Sequence, residues 1–207
     1  MMGTGRQASH RYRTLAEESE ALLREKASKF VAYAFPIADE QEAKDRLAAL
    51  AAAHHTSRHV CYAYVLGYDG AITRNSDAGE PSGTAGRPML RQLSTRDLTN
   101  AMVVVVRYFG GTLLGKAGLV RAYGGAAGMA LDANTVVEHR LFATFALRCG
   151  YPVVERVKQE VLAAGGEVKE GTYAHDCSLR ITLPLDGLGL LEEWKVSGTP
   201  VTVQQLP

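Results

Sequence analysis

Cysteine is scarce in this 207-residue chain: Cys61, Cys149 and Cys177 are odd in number, widely spaced and form no CxxC pair. That excludes a disulfide framework or a zinc knuckle and suits a reducing compartment. Charge of one sign is lacking too, since 23 Lys and Arg against 22 Asp and Glu leave a formal +1. Attraction to nucleic acid therefore rests on where charges sit, not on their total. No apolar run is long enough to span a bilayer, the longest aliphatic stretch being Ala101 to Val106, and no segment resembles a signal peptide. A cytoplasmic protein with no membrane partner is expected. Internal repeats and low-complexity tracts are absent as well. What is present, 46% hydrophobic and 22% charged residues, describes an ordinary globular chain with one substantial core or two small ones.

The first dozen residues, MMGTGRQASHRY, read as a loose leader or an extension onto an edge strand. Ala16 to Ala27 reads as helix by propensity, whereas Ser28 to Ile37 alternates and is rich in aromatic and β-branched residues, as strands are. Asp39 followed by Glu42 forms a capping box for a helix ending near His54. His59 to Gly67 is a strand, a punctuated loop follows, and RPMLRQL opens a helix with Pro88 in its first turn. AMVVVVRYFGG is a buried strand running into glycines, and Gly118 to Asn134 a small-residue helix. Gly124, Gly125 and Gly128 cost that helix about 1 kcal/mol each relative to alanine, which close packing on the sheet would offset. From His139 the texture spells β-α-β-β-α-β, with Val153, Val157, Val161 and Leu162 on one helical face, the ferredoxin-like arrangement. Domains of 1–138 and 139–207 follow.

Gly110, Gly115 and Lys116 match the first seven positions of the phosphate loop G-x-x-x-x-G-K-[ST], after a strand and before a helix, but Ala117 occupies the hydroxyl position. Without that Mg²⁺ ligand, nucleotide hydrolysis is not expected. Two readings remain open: backbone amides of Gly110, Gly111 and Gly115 presented to a phosphate, or a turn that permits tight packing. Basic residues of the central third, Arg87, Arg91, Arg96, Arg107, Lys116 and Arg121, interleave with Tyr108, Phe109 and Tyr123, and would bind phosphates and bases if they converged on one face.

The loop SDAGEPSGTAGRPML supports two readings as well. Ser82 or Thr84 with His59 and a carboxylate from Asp77 or Glu80 would make a hydrolase, although the spacing is not that of the nucleophile elbow. Alternatively Asp77 and Glu80 cap or brace the loop, Pro81 and Pro88 set its dihedrals, and Thr84 caps a helix beginning near Arg87. His54, His55, His59 and Cys61 lack a second ligand pair at metal spacing, so neither a metal nor a cofactor is expected.

HVCYAY, SDAGEPSGTAGRPML and VVVVRYFGGTLLGKAGLVRAYGG together resemble the YigZ/IMPACT family. That resemblance implies an α+β protein: an N-terminal two-layer α/β sandwich like the second domain of ribosomal protein S5, and a C-terminal ferredoxin-like domain like one of elongation factor G. It also implies strands around Thr14 to Glu17 and Leu23 to Phe35. Asp77, Gly79, Glu80, Pro81, Gly83, Thr84 and Gly86 keep the family's loop pattern, while Ala78 and Ala117 replace its second aspartate and a glycine. Eukaryotic members of the family regulate translation by competing for an activator of the amino-acid-starvation kinase and carry an additional N-terminal RWD domain, so that role is not expected to carry over whole. The expected function is a non-enzymatic binding protein for RNA or the ribosome, contacting phosphates through Arg87, Arg107, Tyr108, Gly110, Gly111, Gly115, Lys116 and Arg121. A hydrolase and a protein–protein interaction module are the alternatives.

Overall fold

The computed structural model describes residues 10–173 and 176–206, and divides into two compact units, Met1–His139 and Arg140–Pro207. Residues 1–9 of the expected leader and Ala174 and His175 of the expected strand lie outside the described residues.

The first unit is built on a five-stranded antiparallel sheet in the order β2-β3-β6-β4-β5. Its strands are β2 (Ser19–Glu25), β3 (Ser28–Pro36), β4 (His59–Leu66), β5 (Ile72–Ser76) and β6 (Ala101–Tyr108). A separate two-stranded sheet pairs β1 (Arg11–Leu15) with β7 (Val136–Arg140). The helix read from Ala16 to Ala27 is thus replaced by β2 and the approach to it. Glu, Leu, Arg and Lys favour helix by propensity, but the alternating burial of β2 and its register against β3 override that preference. A two-residue turn with Lys26 in the left-handed region joins the two strands.

Helices cover both faces of the sheet, so two layers undercount the unit. The physical reason is β6, whose Ala101–Val106 run is buried on both sides, as strands sandwiched between layers are. Val103 and Val105 join the core under α2 (Gly86–Thr95) and α3 (Gly115–Asp132), while Met102, Val104 and Val106 meet α1 (Glu40–Ala53) on the other face. The capping box forms: Asp39 Oδ1 accepts the Glu42 N–H at 2.8 Å and Glu42 Oε2 accepts the Ala38 N–H at 2.9 Å. The glycine face of α3 turns mainly toward α2 rather than the sheet. A Cβ on Gly124 would lie 3.5 Å from Pro88 Cβ, and one on Gly128 3.2 Å from Gln92 Oε1.

In the second unit β8 (Phe142–Cys149), β9 (Glu167–Tyr173), β10 (Cys177–Pro184) and β11 (Val201–Gln205) form an antiparallel sheet ordered β11-β8-β10-β9. Helices α4 (Tyr151–Ala163) and α5 (Gly189–Val196) supply Val154, Val157, Val161 and Trp194 to its core. Leu162, expected on that face, is exposed: the buried stripe runs through 154, 157 and 161 and leaves residue 162 on the opposite side. Among the described residues no helix is long and apolar enough to cross a membrane.

Candidate functional site

The register of β4 against β6 makes His59 and Arg107 direct cross-strand partners, so residues 48 positions apart share the sheet face beneath α3. Glu80, from the loop after β5, meets them. Its Oε1 accepts from Arg107 Nη1 at 2.6 Å and from the Tyr123 hydroxyl at 2.8 Å, and lies 3.9 Å from His59 Nε2. Arg107 and Glu80 are 6% and 4% exposed. The guanidinium lies between the rings of Phe30 and Phe109, at 5.5 and 5.3 Å. Ser28 completes the cluster, receiving weak hydrogen bonds from Arg107 Nη2 and the Gly110 N–H. Burial first of all, with the nearby Glu80 charge adding to it, raises the Tyr123 pKa and keeps its hydroxyl a donor.

Arg107, expected to supply free charge to a phosphate, is therefore committed inside the fold, although its Nε–H has no hydrogen-bond partner. Tyr108 leaves the site altogether. Adjacent residues of a strand face opposite ways, and Tyr108 turns toward α1, where its hydroxyl meets His54 Nδ1 at 2.7 Å. His54 also contacts the Tyr33 hydroxyl at 2.8 Å, so it stands on the other face of the sheet from His59. Cys61 is buried and donates to the Asp77 carbonyl at 3.0 Å; burial above all pushes its thiol pKa up to about 12.

The loop Asp77 to Gly86 is organised by Asp77. Oδ1 accepts the N–H groups of Ala85 and Gly86, both at 2.9 Å, and Oδ2 accepts that of Gly83 at 2.8 Å. Burial pushes this carboxyl's pKa up, but the three amides and the neighbouring Arg87 outweigh it and hold the group below its ordinary value. Asp77 caps α2 from nine residues away, because the N-cap residue is Ala85 and offers no side chain. Thr84 does not cap that helix; its hydroxyl donates to the Pro81 carbonyl at 2.7 Å, closing a turn within the loop. His59 Nδ1–H donates to the Ala78 carbonyl at 2.8 Å. Ser82 is exposed, and neither it nor Thr84 hydrogen-bonds to His59, so the hydroxyl–imidazole pairing needed for the hydrolase is not formed here.

The glycine-rich turn divides in two. Gly110 is a packing residue: a Cβ there would lie 1.8 Å from the Ala27 carbonyl oxygen in the β2–β3 turn. Gly111 and Gly115 sit in the left-handed region with open space around them, and Lys116 is exposed in the first turn of α3. Lys116 and Gly115 line a cavity of about 400 Å³ that reaches Arg58, His59, Glu80 and Arg107.

Free basic charge collects elsewhere. Arg87 and Arg91 of α2 and Arg121 of α3 line a groove of about 560 Å³, with Gly124 and Gly125 between them. All three are exposed, and among the described residues none forms a salt bridge. Arg96 does not join them, being held by Asp132 at 2.7 Å and by Gln92. Phe109 and Tyr123 stand out in the sequence as aromatics interleaved with the basic residues, whereas no role is assigned there to Arg58. Arg58 is signalled only by its position beside His59.

The Impact N-terminal domain family model matches residues 26–131, the segment that carries this whole arrangement. Among curated proteins the chain is similar to IMPACT family member YvyE of Bacillus subtilis, 33% identical over 185 residues, covering 89% of this chain and 85% of that one. It is also similar to IMPACT family member YigZ of Escherichia coli, 35% identical over 161 residues, covering 77% and 79%. A crystal structure of a hypothetical protein aligns with a TM-score of 0.65 and 29% identity over 95% of this chain and 98% of that one. With the family's domain covering half the chain and relatives matched over most of their length, the chain belongs to the IMPACT family.

Proposed function

We propose that this protein is a non-enzymatic, cytoplasmic RNA-binding protein of the translation apparatus, which grips the phosphate backbone along the groove between α2 and α3. One observation carries the reading: in a chain with a formal charge of only +1, three exposed arginines, Arg87, Arg91 and Arg121, line one groove, and among the described residues none is held in a salt bridge, although Arg87 lies near the amide-bound Asp77. Gly124 and Gly125 keep the α3 side of the groove low beside Arg121, where Pro88 and Gln92 of α2 form the facing wall. Lys116 adds charge beyond the Asp77–Gly86 loop, and Gly111 and Gly115 keep the turn before α3 open.

The fold supports the same setting. The β11-β8-β10-β9 order with two helices packed on one face fits a ferredoxin-like domain, akin to one of elongation factor G. We assign the first unit's kinship to the second domain of ribosomal protein S5, with α1 as an addition on the outer face. The ribosome is the partner that these likenesses favour.

Filter binding of the purified protein to a mixed cellular RNA pool over a salt series tests the reading. Each phosphate contact on a single strand contributes about 0.7 to the salt slope, so Arg87→Ala/Arg91→Ala/Arg121→Ala is expected to flatten it by about 2. An unchanged slope, or no binding by the parent protein at low salt, sinks the assignment.

A further inference from the structure

The cavity at the head of α3 has the chemistry of a second site: Glu80 and Pro81 line it, whereas Gly83 lines the arginine groove. Its volume, about 400 Å³, falls in the range of roughly 300–1,000 Å³ typical of small-molecule sites. Its lining is graded. Arg58 and Lys116, both exposed and without a salt bridge among the described residues, line the cavity together with the start of α3, where the first turn of that 18-residue helix has neither a capping side chain nor an acidic residue. Phe109, 46% exposed although aromatic, stands at the rim with Leu113.

The deeper wall is polar and tied down. Glu80 is neutralised by Arg107, so the charge left to the cavity is that of Arg58 and Lys116. Arg107 lines the cavity at 6% exposure, and its Nε–H is a donor without an acceptor. That nitrogen is itself out of reach of solvent, packed with the rest of the guanidinium near the rings of Phe30 and Phe109, so Arg107 gives the wall its polar character without offering the cavity this donor. His59 spends Nδ1–H on the Ala78 carbonyl, which leaves Nε2, 3.9 Å from Glu80 Oε1, as the ring nitrogen open to a further partner in the same space.

We propose that this cavity binds the phosphate monoester end of a nucleotide. The phosphate lies against Lys116, Arg58 and the free amides of the first turn of α3, the sugar hydroxyls face His59 Nε2, and the base stacks on Phe109. A helix N-terminus with two cations supplies charge and donors matched to a phosphate dianion. An exposed aromatic ring accepts any base without reading its sequence. The proposal extends the RNA reading above, on which the identity of its source rests: the phosphorylated end of the strand lying in the arginine groove, or a free mononucleotide.

Calorimetric titration of the full chain with adenosine and uridine 5′-monophosphates, against the two nucleosides, tests it. The monophosphates are expected to bind at least tenfold more tightly than the nucleosides. Arg58→Ala/Lys116→Ala is expected to remove that advantage, and Arg87→Ala/Arg91→Ala/Arg121→Ala to leave it intact. Arg58 and Lys116 are exposed, so circular dichroism of their double variant should match the parent. Equal affinity for nucleoside and monophosphate, an advantage that survives in the Arg58/Lys116 variant, or no monophosphate binding at millimolar concentration overturns the proposal. A second arm compares oligonucleotides with a 5′-phosphate and a 5′-hydroxyl. A preference for the phosphorylated strand that depends on Lys116 assigns the strand end, and no preference beside clear mononucleotide binding assigns the free nucleotide. If the RNA pool fails to bind while the monophosphates do, the groove reading falls and the cavity stands.

Discussion

Removing the charge of Glu80 is the most direct way to ask whether the buried cluster holds the first unit together. Glu80→Gln keeps the side-chain shape but leaves the guanidinium of Arg107, 6% exposed, without a counterion. Breaking a buried pair from one side costs about 3–5 kcal/mol, because the surviving charge stays desolvated. The rings of Phe30 and Phe109 still sandwich the cation and offset part of that, about 1 kcal/mol, so a loss of about 3 kcal/mol is expected. For a unit the size of Met1–His139, about 4 °C per kcal/mol converts this into a fall of about 12 °C in its Tm. Urea unfolding followed by near-UV circular dichroism of the tyrosines reads it, since the sole tryptophan, Trp194, belongs to the second core. The second half of the test is Glu80→Gln/Arg107→Met. With both charges gone nothing remains desolvated without a partner, so the double variant should recover at least half of the single loss. A cost of Glu80→Gln below about 0.5 kcal/mol, or strictly additive variants, would refute the reasoning.

Asp77→Asn puts an amide NH₂ against the Gly83 N–H while sparing the oxygen that caps α2, and should cost about 1–3 kcal/mol in denaturant unfolding. The folded pKa of Asp77 lies below its ordinary value of 3.8, so the stabilisation is present above that value and drains as pH falls through the folded one. The gap between parent and variant should therefore close on acidification below about pH 4, and a gap that widens there contradicts the capping role. Gly110→Ala would drive a Cβ to 1.8 Å from the Ala27 oxygen and should destabilise by more than about 3 kcal/mol, whereas Gly111→Ala, with open space, should cost only the left-handed backbone penalty of about 1 kcal/mol. Equal costs would mean that conformation, not space, governs the turn. Cys61, with its thiol pushed up to about 12 by burial, should resist iodoacetamide at pH 8 until the first unit unfolds, as alkylation with and without urea will report.

The elements that sequence made legible are those whose burial follows one local rule. The capping box at Asp39 and Glu42, the all-apolar β6 and the six elements of the second unit each carry their own periodicity or cap. Strand β2 was not legible by propensity, because Leu22, Leu23, Arg24 and Glu25 suit a helix and only pairing with β3 makes them a strand. The face to which the α3 glycines turn was likewise invisible, since composition shows that a helix can be approached but not by what. Here Pro88 and Gln92 of α2 make the approach.

For the site, composition identified which residues bear charge but not which of them keep it free. Six basic side chains crowd the central third, and their fates diverge on contacts far away in sequence. Arg96 finds Asp132 and Arg107 finds Glu80, whereas Arg87, Arg91 and Arg121 form no salt bridge among the described residues and line one groove between two helices, with Arg87 near the Asp77 carboxylate. The loop that looked like a nucleophile's setting decides this division. Asp77 spends both oxygens on backbone amides and so fixes Glu80 where it can meet Arg107 and Tyr123, and both carboxylates of the loop are thereby consumed by the fold. Glu80 is withdrawn into the fold by Arg107 and Tyr123, while Asp77 keeps its charge on the loop's own amides beside Arg87, so one of the loop's two anions is taken away from the surface that carries the arginines.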